Sequence, residues 1–130
     1  MTDYKEVAQI CSDFVGLYTG KKPIPIGDFF KGHKYHSLTR TLMKNLHHSA
    51  DISAVEALTG IYKVFKAYRG RYLTDEEWRG LHERMVEVVK AYDNNRWCVY
   101  VALEFMDYLE QDCTELEKKK ETRETEVAAA

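Results

Sequence analysis

The chain has 130 residues, 45% of them hydrophobic and 31% charged, with a formal net charge of −2. This is the size and composition of one soluble globular domain that buries a core without metal or disulfide support, and it excludes fibrous and intrinsically disordered classes. No apolar run approaches the ~18 residues that span a bilayer and the first residues lack a signal-peptide layout, while Cys11, Cys98 and Cys113 fit reduced thiols, so no membrane contact and a cytosolic location are expected.

In chain order, Thr2 or Asp3 supplies an N-cap for a first helix, and Gly20 a left-handed stop after Tyr18. Tyr4, Val7, Ala8, Cys11, Phe14, Val15 and Tyr18 form its apolar stripe. The next stretch, Gly20 to Gly32, holds both prolines of the chain together with Ile24, Ile26, Phe29 and Phe30. Proline removes an amide donor and biases the preceding residue toward extended backbone, so this is a loop carrying core-type side chains. Ile24 and Ile26 are expected to plug the end of the helices, and Phe29 or Phe30 to stay partly exposed as an interface anchor.

A second helix is predicted over Lys34 to His48, burying Tyr35, Leu38, Leu42 and Leu46. Ser53-Ala-Val-Glu56 reads as a capping box before a third helix that runs to Tyr68 and stops at Gly70. Thr74-Asp-Glu-Glu77 is a second capping box, opening a fourth helix with Trp78, Leu81, Met85, Val88, Val89 and Tyr92 in one sector. The seven apolar residues Trp97 to Leu103 would suit a buried strand, but Phe105, Met106, Tyr108 and Leu109 continue at helical spacing. One long, largely buried helix follows, polar all round from Glu115. The expected fold is all-α: a single-domain bundle of four to five amphipathic helices over 1–114, with a Pro-rich apolar loop between the first two and a charged helical extension over 115–130 that frays to a tail.

Charge is unevenly spread. Residues 29–72 hold eight Lys or Arg against Asp51 and Glu56, a balance of +6, and residues 97–130 hold nine acids against four bases, a balance of −5. Lys31, Lys34, Arg40, Lys44, Lys63, Lys66, Arg69 and Arg71, interleaved with tyrosines toward the end, form a candidate nucleic-acid surface, since cations neutralise phosphates and rings stack on bases. The acidic stretch Glu104 to Glu126 would suit a basic partner.

On a helical wheel His36, Arg40, Met43 and His47 fall within about 60° of one another. The spacing of Arg40 and His47, six residues between them in an all-helical domain, resembles the active-site motif of HEPN ribonucleases. The resemblance implies that Arg40 would stabilise phosphate charge and His47 would move protons during attack by a ribose 2′-hydroxyl. His33 with His36, and His47 and His48 with Asp51, stand at opposite ends of the second helix, and neither group supplies three well-spaced ligands, so no metal is expected. His82 is expected as a hydrogen-bonded core or boundary residue. No nucleophile is marked, no Gly-rich phosphate loop occurs, and no cofactor is implied. The leading expectation is a non-enzymatic module for a protein partner, engaged through Ile24, Ile26, Phe29, Phe30, Lys34, His36 and Arg40, with nucleic-acid binding as the alternative.

Overall fold

Asp3 opens the first helix, α1 (Tyr4–Thr19), by accepting the amides of Lys5 and Glu6 at 3.1 Å, and Gly20 closes it at φ 74°. The computed structural model describes residues 2–21, 29 and 37–129. The Pro-rich segment, and with it Ile24, Ile26, Phe30, Lys31, Lys34 and His36, lies outside the described residues. Phe29 is described, and it is core: only 2% of it is exposed. The expected role of Phe29 as an exposed anchor is therefore corrected to packing.

The second predicted helix is divided. Among the described residues it consists of α2 (Ser37–Met43) and α3 (Leu46–Ser49), separated by Asn45 in the left-handed region at φ 60°. An uninterrupted helix would give the Leu42 carbonyl to the amide four residues on. Here that carbonyl instead accepts the indole N–H of the fully buried Trp97 at 2.9 Å, a bond spanning 55 residues of sequence. The break thus leaves a terminal carbonyl that the core itself satisfies.

The third predicted helix is α4 (Ala54–Tyr68), burying Ala54, Ala57, Leu58, Ile61, Val64 and Phe65. Its expected capping box does not form. Ser53 makes no side-chain cap bond, although its carbonyl accepts the Ala57 amide at 2.9 Å. The box at the next helix, α5 (Asp75–Lys90), does form: the Thr74 hydroxyl accepts the Glu77 amide at 3.2 Å, and the Glu77 carboxylate accepts the Thr74 amide at 3.3 Å.

The last helix, α6 (Arg96–Ala129), is the frame on which α2, α3, α4 and α5 pack. Asn95 starts it, its side-chain oxygen accepting the amides of Trp97 and Cys98 at 3.1 and 3.3 Å. The buried residues Trp97, Cys98, Val101, Ala102, Phe105, Tyr108, Leu109, Asp112 and Cys113 recur at helical spacing on one side. The expectation of a largely buried helix is corrected on this point, because Tyr100 and Leu103, from the same apolar run, are exposed. Two polar contacts fix α6 laterally. Tyr108 donates to Glu104 at 2.6 Å and meets the Ser37 hydroxyl at 2.8 Å, while the Thr41 hydroxyl reaches the other Glu104 oxygen at 3.2 Å. Burial, followed by the bond to Glu104, pushes the Tyr108 phenol well above its ordinary range.

Every regular element among the described residues is a helix, and none is long and apolar enough to cross a membrane.

Candidate protein-binding groove

Helices α5 and α6 are consecutive and antiparallel because the chain reverses within Ala91 to Asn95. Asp93 and Asn94 occupy the left-handed region there, at φ 55° and 53°, a conformation that short polar side chains tolerate. The Asn94 amide returns to the Val89 carbonyl at 3.1 Å, and the Asn95 side-chain amide donates to the His48 carbonyl at 2.9 Å, tying the turn to α3. A hairpin of helices results, and cavities line its outer side.

The end of the groove nearest the turn is apolar. Met85, Val86 and Val89 from α5 face Val99, Ala102, Leu103 and Met106 from α6 around a cavity of about 210 Å³. Leu103 is 53% exposed and Val86 36%. Exposed aliphatic side chains grouped along a concave surface, in contrast to ones scattered singly, are the kind of patch that marks a contact site.

The other end is polar and wider. A cavity of about 540 Å³ is lined by Tyr72, Leu73, Asp75, Trp78, Cys113 and Thr114, with Glu110 and Glu117. His82 and Met106 line both cavities, so the two adjoin. Beside them, Asp107 and Glu115 line a third hollow that shares Glu110 and Thr114. Five carboxylates thus line this end, with the Lys120 ammonium 6.0 Å from the Tyr72 ring at its rim.

The expected role of His82 as a core or boundary residue is corrected: it is exposed, at the junction of the groove. Cys113 is buried and takes the Leu73 amide at 3.4 Å, which makes it a packing thiol under the groove floor. Sequence reasoning missed the groove because it assigned the whole run from Trp97 to Leu103 to the core. The available signal was that Leu103 and Val99 fall off the stripe of Cys98, Val101, Phe105 and Leu109.

The candidates singled out from sequence are distributed elsewhere. Arg40 and His47 are both exposed, but they stand on α2 and α3, on opposite sides of the break at Asn45, so the continuous wheel that united them does not exist. His47 packs on His48 with ring centroids 4.1 Å apart. Lys44 lies over the Tyr100 ring at 5.9 Å. Lys63 and Lys66 are exposed along α4, whereas Arg69 lies 5.0 Å from the Tyr4 ring and donates to the Tyr62 hydroxyl at 3.4 Å. Arg71 pairs with Glu77, and together with Arg84 flanks the Tyr68 ring, each guanidinium 5.5 Å from its centroid. Tyr68, the last residue of α4, is half-buried beneath those two arginines. Among the described residues no group of three or more His, Cys, Asp or Glu is placed to hold a metal.

Compared with known family models, curated proteins and solved structures, the chain matches none.

Proposed function

We propose that this chain is a protein-binding helical domain whose binding surface is the α5–α6 groove. The observation that carries the reading is the exposure of Leu103 and Val86 along a concave apolar strip. Burying such side chains contributes about 25 cal/mol per Å² of apolar area removed from water. A nucleic-acid occupant fits poorly, since the groove continues into five carboxylates that would repel phosphates. The reading keeps the expectation of a protein partner and moves it from the Pro-rich segment to the hairpin.

The test is a photo-crosslinking side chain at position 86, in the cell of origin. A protein adduct is expected that disappears when Leu103→Asp is added and persists when Lys63→Glu, on exposed α4, is added instead. An adduct indifferent to Leu103→Asp, or no protein adduct at all, would overturn the reading.

A further inference from the structure

We infer that the occupant of the groove is an amphipathic helix carrying its Lys and Arg residues at one end, seated with its apolar stripe on Val86, Val99 and Leu103 and its basic turns over Asp107, Glu110 and Glu117. This rests on the protein-binding reading above and names the partner's chemistry.

The occupant is a helix because of what forms the walls. Both are helices, whose backbone donors and acceptors are already used internally, so an extended segment would find no edge to pair with. Two parallel ridges of side chains instead accept the ridge of a third helix. On α6 the groove residues Val99, Leu103, Met106, Glu110, Thr114 and Glu117 recur every three or four positions and so follow one face. From 99 to 117 that face extends about 27 Å, the length of about five helical turns.

The charge of the occupant follows from the lining. An apolar segment laid over the carboxylates would strip water from them with nothing in return, whereas Lys or Arg would restore their solvation as ion pairs. The arrangement also sets register. The acidic end begins where the apolar end stops, at Met106, and beyond Glu117 the α6 sequence turns basic with Lys118, Lys119 and Lys120. A helix basic along its whole length would lose apolar contact at Leu103, and one that is apolar throughout would desolvate Glu110. Only a segment divided in the same way satisfies both ends.

The test uses synthetic helices of about 18 residues that share one leucine stripe, titrated calorimetrically into the full chain. In two of them four lysines occupy either the first or the last two turns, and in a third glutamates replace the lysines. At least one lysine peptide is expected to bind about tenfold more tightly than the glutamate peptide, with the difference shrinking at high salt. The double reversal Glu110→Lys/Glu117→Lys should abolish that preference without altering the circular dichroism, both side chains being exposed. Leu103→Asp should weaken all three peptides. Equal binding of lysine and glutamate peptides, binding indifferent to Leu103→Asp, or no binding would each overturn the inference. If the position-86 adduct is nevertheless seen, the protein-binding reading stands with a partner of other chemistry.

Discussion

The Tyr4 hydroxyl donates to the carboxylate of Asp112 at 2.8 Å, joining the first turn of α1 to the middle of α6 across 108 residues of sequence. Asp112 is buried, and its other oxygen accepts both the amide and the hydroxyl of Thr2, at 2.8 and 3.0 Å. Three donors thus converge on one buried carboxyl group. Asp112→Ala would leave them without their acceptor and is expected to cost about 2–3 kcal/mol, against about 1 kcal/mol for Tyr4→Phe. Urea denaturation of the two variants measures the ranking.

The same contact gives the fold an alkaline limit. Burial, reinforced by the bond to Asp112 and its charge, raises the Tyr4 phenol from 10.0 to about 12. Burial alone raises the Cys11 thiol from 9.0 to about 12 and the Cys98 thiol to about 11. In each case the folded state holds its proton more tightly than the unfolded state. The stabilisation is therefore complete below the unfolded values and is lost as pH rises through the folded ones. The urea midpoint should fall progressively between pH 9 and 12, and Tyr4→Phe should flatten the part of that decline above pH 10.

The two capping boxes separate what the sequence encodes locally from what the fold decides. Both have the same spacing of a hydroxyl and a glutamate, but only the one at Thr74 forms. Thr74→Ala should cost about 1 kcal/mol in thermal or urea unfolding, while Ser53→Ala should stay within about 0.5 kcal/mol. Helix starts, the left-handed stop at Gly20, and the buried sector of α5 were legible because they depend on near neighbours, whereas on α1 the expected stripe included Tyr18, which is exposed, and missed the fully buried Ile10. The break at Asn45 was not legible, since the Leu42 carbonyl it frees is satisfied by an indole distant in sequence, in another helix. Neither was the groove. Periodicity shows how apolar a run is, but the exposure of Leu103 depends on which side of α6 the other helices leave uncovered.

Trp97 tests what its bond to the Leu42 carbonyl contributes. Trp97→Phe preserves most of the packing, including the stack on Phe14 at 5.8 Å, but leaves the Leu42 carbonyl without its donor. A loss of about 2 kcal/mol is expected, larger than a ring substitution at an exposed site would give. Chemical denaturation followed by circular dichroism measures it independently of the lost fluorophore.

Leu103 should behave in the opposite way. It is exposed, so Leu103→Asp is expected to change stability by no more than about 0.5 kcal/mol while removing partner binding. The most direct measurement of the central claim is amide chemical-shift mapping of the full chain during titration with the lysine-ended helix. The account predicts shifts concentrated at His82 to Val89 and along Val99 to Glu117, with α1 and the exposed side of α4 unchanged. Shifts centred on Arg40, Lys44, Lys63 and Lys66, with the α5–α6 groove silent, would contradict it.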